Sequence, residues 1–168
     1  MRLIFILISV LFVSSNIMAD NLHKFSINDI DGNLINLNQF KGKPIHLLGS
    51  GSLMQQVIEA QETLEKEGIP TYIWSVTSYN LLHRDFRDSK DSDKKSYLEE
   101  ITEGFDGHFI SVSDWITLLP DSISNLFPGG LTTLGTDGYG LSETREALRD
   151  HFGISAKSII NKAKEILD

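Results

Sequence analysis

A short apolar run, Ile45 to Leu48, is interrupted only by His46 and stops at Gly49-Ser50-Gly51-Ser52. Leu53, Val57, Ala60 and Leu64 follow at i, i+4, i+7 and i+11. The run has the length and continuity of a strand buried on both faces, the spacing after it marks one stripe of a helix, and Gly68 is that helix's natural stop. A strand that turns through glycines into an amphipathic helix rejoins its own sheet by a crossover, which commits the chain to an α/β fold. The rhythm then repeats. Pro70 to Val76 is rich in β-branched and aromatic residues and reads as the next strand. Ser78 caps a helix through Arg87, and the charged stretch from Arg84 to Lys95 reads as a solvated connection.

His108 to Val112 and Leu131 to Leu134 are the remaining strands, with a turn at Pro128-Gly129-Gly130 before the second. Between them, Ser113-Asp114 is expected to cap a helix with Trp115, Leu119, Ile123 and Leu126 on one face, kinked or divided at Pro120. Ser142 is expected to cap a helix carrying Leu148 and Phe152, and Ser155 a last helix with Ile159, Ala163 and Ile166 inward. The expectation is a three-layer α/β fold: a mostly parallel sheet with helices on both faces, plus an N-terminal β-hairpin.

The front of the chain follows another logic. Met1 and Arg2 give a short positive start, Leu3 to Val13 is almost wholly apolar, and Ser14 to Ala19 is small and polar. That is the layout of a secretory signal peptide over residues 1–19, with a run too short to span a bilayer well. Export, periplasmic or secreted, with Asp20 as the first mature residue, is the expectation. Residues 24–37 read as a hairpin: Phe25 and Ile27 alternate with polar neighbours, Asp31-Gly32 turns the chain, and Ile35 and Leu37 resume the alternation.

Composition narrows the chemistry. The formal charge is −8, and phosphate-backbone binding needs a basic face, so a nucleic-acid partner is excluded. There is no cysteine, which removes disulfides, thiolate metal sites and thiol nucleophiles. The five histidines, His23, His46, His83, His108 and His151, have no metal-ligand spacing, so no metal is expected. No G-x-S-x-G elbow is present.

Two glycine-rich loops remain, at the strand ends where open α/β sheets gather ligands. Gly49-Ser50-Gly51-Ser52 lacks the lysine of a P-loop and the third glycine of a dinucleotide fingerprint. It is a tight strand-to-helix turn or, alternatively, an anion cradle. Gly135-Thr136-Asp137-Gly138-Tyr139-Gly140 is denser, and Asp137 is read as bracing the loop rather than as a base.

The stretches KGKPIHLLGSGSLMQQVIEAQETL, YIWSVTSYNLLHRD and HFISVSDWITLLPDSISNLFPGGLTTLGTDGYGLSETREALRDHFGI together resemble the C-terminal domain of pyruvate dehydrogenases, in particular the decarboxylating component of the homodimeric bacterial type. The similarity covers about residues 43–168. The family has a longer segment around 86–97, and Phe and Arg where Tyr139 and Leu141 stand here. The resemblance implies a family enzyme that uses thiamine diphosphate and Mg²⁺, both held by earlier domains, and that works in the cytosol.

For this chain it implies no cofactor, no catalytic residue of its own, and a structural and dimerisation role. Self-association or the earlier dehydrogenase domains are the implied partners. Gly135, Thr136, Asp137, Gly138, Gly140, Ser142, Thr144 and Arg145 are then loop-shape and interdomain candidates, and Gly49, Ser50, Gly51, Ser75, Thr77 and Ser78 line the same sheet edge. Within residues 24–44, the stretch FSINDIDGNLINLNQFKGKP is similar instead to the opening hairpin of glutathione peroxidases. Without cysteine that chemistry is rejected. The expected organisation is a signal peptide over 1–19, a peroxidase-like hairpin leader over 20–44 and an α/β domain over 45–168.

Overall fold

The computed structural model describes residues 44–91 and 94–167, together with two short strands before them. The leader segment 1–19 and the turn at 41–43 lie outside the described residues. The chain divides into two units, 1–42 and 43–168. In the first, β1 (Ser26–Asn28) pairs antiparallel with β2 (Leu34–Asn36), with Ile27 opposite Ile35.

The second unit holds a four-stranded sheet of β3 (Ile45–Gly49), β4 (Thr71–Ser75), β5 (His108–Val112) and β6 (Leu131–Leu134), in the order β4-β3-β5-β6. Every pairing in it is parallel. β3 is central and buried along its whole length, as its unbroken apolar run requires.

Successive side chains along the strands point to opposite faces and sort the core between them. Ile45 and Leu47 of β3, with Ile110 and Val112 of β5, face one way. There they meet α1 (Met54–Lys66), which follows a 3₁₀ turn at Gly51–Leu53, and α6 (Ala156–Leu167). The helix stripe at Leu53, Val57, Ala60 and Leu64 is the buried one, and Gly68 ends it with φ +82°. Ser155 Oγ accepts from the Ser158 N–H and caps α6, while the Gln56 side chain accepts from the Ala156 N–H.

The opposite face buries Leu48 and Phe109 against α2 (Tyr79–Ser89), α3 (Tyr97–Thr102) and the segment around Ile123, Leu126 and Phe127. Ser78 Oγ caps α2 by accepting from the Leu81 N–H. Ser96 and Glu99 form a capping box on α3.

Three local expectations are corrected. The helix expected from Ser113-Asp114 reduces to a single turn, α4 (Leu118–Asp121), and a 3₁₀ turn at Ser124–Leu126, so Trp115 is 66% exposed instead of inward. The downstream loop takes a backbone group that such a helix would have used: the Thr117 N–H, due to the Ser113 carbonyl in a helix, donates to Asp137 instead. The helix α5 (Arg145–His151) is capped by Thr144, whose Oγ1 accepts from the Ala147 N–H, and not by Ser142. Finally, α2 runs on to Ser89, so much of the charged stretch read as a connection is helix.

Candidate functional site

In the order β4-β3-β5-β6 the chain leaves β3 toward β4 and later returns to β3's other side as β5. The carboxyl ends of β3 and β5 therefore flank the switch point at which a parallel sheet opens a crevice. The loop after β3, Gly49-Ser50-Gly51-Ser52, and the residues after β5, Ser113 and Asp114, lie there. Ser50 N–H donates to Val112 O at 3.2 Å, and Ser52 Oγ donates to Asp114 Oδ2 at 3.3 Å. Gly51 sits at φ +56°, a conformation that favours glycine.

The second glycine-rich loop joins the same edge through backbone and side chain. Thr136 N–H donates to Trp115 O at 2.8 Å and Thr136 Oγ1 to Asp114 O at 3.0 Å. Asp137 accepts from Thr117 twice, from N–H at 3.0 Å and from Oγ1 at 2.9 Å. Both of its oxygens are thereby used in holding the loop. Gly135 has a steric reason: a Cβ there would stand 2.5 Å from the Trp115 carbonyl oxygen. Gly138 lies at φ +98°, whereas a Cβ on Gly140 would meet nothing within 4 Å.

These contacts enclose an open cleft of about 490 Å³. Ser52, Asp114, Thr136, Glu143, Arg145 and Arg149 give it polar walls, and Leu53, Leu148 and Phe152 an apolar floor. Arg149 Nη2 donates across it to Ser52 O at 3.3 Å, and Glu143 accepts from the Thr144 N–H at 2.9 Å.

Ser75, Thr77 and Ser78 belong elsewhere. They line a separate, largely apolar cavity of about 430 Å³ beneath α2 and α3, walled by Leu48, Trp74, Leu82, Leu98 and Phe109. Of the candidate positions, Ser75, Thr77 and Ser78 line this cavity, Thr136 and Arg145 line the polar cleft, and Gly49, Ser50 and Gly51 line neither. Gly135, Asp137, Gly138, Gly140, Ser142 and Thr144 line neither hollow, and all of these but Gly135 lie exposed.

Ser52, Asp114, Glu143 and Arg149 were not among the candidate positions. The i, i+4 spacing of Arg145 and Arg149 was a readable signal that both project from one helix face. Asp114 carried no such signal, because its meeting with Ser52 depends on which strands are neighbours.

Two buried polar groups sit away from the cleft. His46 is fully buried, stacked on Phe109 with ring centroids 4.2 Å apart. Trp74 Nε1–H donates to His46 Nδ1 at 3.1 Å, so the ring proton is on Nε2, which donates to Asp106 O at 2.9 Å. Burial lowers the His46 pKa, against the weaker opposing pull of Asp106. Tyr79 OH shares a 2.7 Å hydrogen bond with Ser111 Oγ, and burial pushes its pKa up to about 12. Both groups are held as neutral packing elements. Among the described residues no group of three or more histidine, aspartate or glutamate side chains is placed to hold a metal ion.

With a parallel sheet, a switch-point cleft and braced glycine loops in place, comparison with known proteins fixes the class. The family model of the transketolase-like TK C-terminal domain matches residues 34–155, and the chain belongs to that family. Its relatives include the pyruvate dehydrogenase E1 components of Mycobacterium tuberculosis, 35% identical over 130 residues, and of Escherichia coli, 33% identical over 130 residues. These matches cover 72% and 71% of this chain and 14% of either relative, so the chain spans about one seventh of their length.

Among solved structures, a split-gene transketolase described as an inactive β4 tetramer superposes with a TM-score of 0.53 at 17% identity, covering 76% of this chain and 40% of that one. A Leishmania mexicana transketolase gives 0.52 at 15% identity, covering 88% and 18%. At such identities these two establish the fold alone. The family match begins at residue 34, within the first unit.

Proposed function

We propose that this chain serves as a structural and association domain of the pyruvate dehydrogenase type, with no catalytic step of its own. One observation carries the reading. The glycine-rich loop after β6 spends Thr136 and Asp137 on its own bracing, while the large apolar side chains beside it stay in solvent. Asp137 is consumed by Thr117, whereas Trp115 is 66%, Leu118 70% and Tyr139 94% exposed. A rim of that kind is the composition of an association surface. Self-association, or contact with the earlier domains of a dehydrogenase, would cover it.

Thiamine diphosphate and Mg²⁺ would then belong to those other domains, and the conversion of pyruvate would be theirs. Export of the full sequence, directed by residues 1–19, and a separate peroxidase-like origin for the hairpin are further parts of the proposal. They rest on the residues quoted for them.

Calorimetric titration of the full chain with thiamine diphosphate and Mg²⁺ should give no binding heat. Sedimentation should show concentration-dependent self-association that Leu118→Ser with Trp115→Ser weakens. Tight cofactor binding by a strict monomer would overturn the reading.

A further inference from the structure

The polar cleft holds charges that the fold does not use. Arg145 and Arg149 project from successive turns of α5 into one hollow, and neither takes part in an ion pair among the described residues. Arg149 spends one N–H on Ser52 O, which fixes its guanidinium over the loop after β3 and leaves its remaining donors available. Asp114 and Glu143 line the same hollow. Asp114 accepts one hydroxyl and Glu143 one backbone N–H, so each carboxylate keeps free acceptor positions.

Two cations and two anions that share a cleft without pairing match a ligand that carries both kinds of group. Two guanidiniums suit one oxyanion through several N–H···O bonds at once. The acids oppose a bare anion and favour one whose far end donates hydrogen bonds or carries positive charge. A volume of about 490 Å³ is ample for a small molecule, and Leu53, Leu148 and Phe152 provide an apolar floor.

We propose that this cleft binds a small molecule with a phosphate or carboxylate at one end, held by Arg145 and Arg149, and an ammonium or hydroxyl donor at the other, held by Asp114 and Glu143. The site needs neither the cofactor nor the other domains of a dehydrogenase. Its success or failure is therefore independent of the proposed structural role.

Thermal unfolding of the full chain at fixed ionic strength is the test. Phosphoethanolamine, β-alanine and inorganic phosphate are the probes. Either zwitterion should raise the melting temperature saturably by several degrees, more than inorganic phosphate does. Which zwitterion acts separates phosphate from carboxylate as the recognised group.

Arg145→Ala with Arg149→Ala should abolish the rise. The lysine pair, R145K with R149K, keeps the charge but loses the fork and should weaken binding by at least about tenfold. Asp114→Asn retains an acceptor for Ser52 while removing charge. It should tighten inorganic phosphate and weaken the zwitterion, a crossing that general screening cannot produce. No saturable rise with either zwitterion in the tens of millimolar, a rise that survives the double alanine variant, or an Asp114→Asn effect of the same sign on both probes would each overturn the proposal.

Discussion

The two faces of the sheet solve the same packing problem with different chemistry. Beneath α1 and α6 the buried side chains are Ile45, Leu47, Val57, Ala60, Leu64, Ile110, Val112, Ile159 and their aliphatic neighbours, and the buried Thr71 beside them spends its hydroxyl on Ile69 O and carries no titratable group. Beneath α2 and α3 they are aromatic in part, Phe109, Phe127 and Tyr79, and the same layer encloses His46 and Ser111. Every buried polar side-chain atom among the described residues has a partner. An aliphatic layer gains from area and close contact alone. The aromatic layer also depends on a particular tautomer and a particular hydroxyl geometry, because an unpaired donor or acceptor there bears its full desolvation penalty. One face should therefore be indifferent to pH and the other sensitive to it.

The largest effect expected from breaking this contrast is that of Phe109→Ala. The ring is 1% exposed and stacks on His46 and Phe127, so its loss empties the centre of the aromatic layer. Urea unfolding should report a destabilisation of about 4 kcal/mol.

Trp74→Phe comes next. It removes the donor to His46 Nδ1 and leaves a buried acceptor bare, at about 2 kcal/mol at pH 8. The same variant tests the acid response. Because the folded His46 pKa is lowered, the unfolded chain takes up its proton first as pH falls below about 6.5, and stability is lost from there downward. In the native protein a proton arriving at Nδ1 would face the Trp74 N–H, donor against donor. Without that N–H, the loss between pH 8 and pH 5 should be shallower. An equally steep loss in both proteins would place the acid response elsewhere.

Tyr79→Phe is smaller, about 1 kcal/mol at neutral pH, since Ser111 Oγ loses its partner. At high pH the native protein should be the more sensitive of the two. Its unfolded tyrosine ionises near pH 10 while the folded one resists until about 12, so stability drains away across that interval. The variant lacks this contribution, and chemical unfolding at pH 9 and 11 measures the difference.

Ile159→Val, on the aliphatic face, should cost under about 1.5 kcal/mol, by the same amount at pH 5 and pH 8. A pH-dependent cost there would dissolve the contrast between the faces.

The strands after the first unit were legible because each needs only a local pattern. The expected strands His108 to Val112 and Leu131 to Leu134 coincide with β5 and β6, and the stripe from Leu53 to Leu64 is the buried face of α1. The segment from Ser113 to Leu126 was not legible. Its apolar residues have helical spacing, but Asp137, twenty residues away, takes the Thr117 N–H and with it a donor that a helix would have kept. The bracing role of Asp137 could be anticipated from its glycine-rich surroundings, whereas its partner Thr117 could not.

Outside the segment from Ser113 to Leu126, what the sequence determined on its own was the succession of strands and helices and which side of each is buried. Periodicity, glycine stops and hydroxyl caps act within a few residues of themselves. What the tertiary structure decided was who meets whom: Ser52 with Asp114, Thr117 with Asp137, Trp74 with His46. Each of these meetings follows from the order β4-β3-β5-β6 and the parallel register that sets strand ends side by side. That order comes from the packing of whole elements, a balance spread over the entire core and carried by no short stretch of chain.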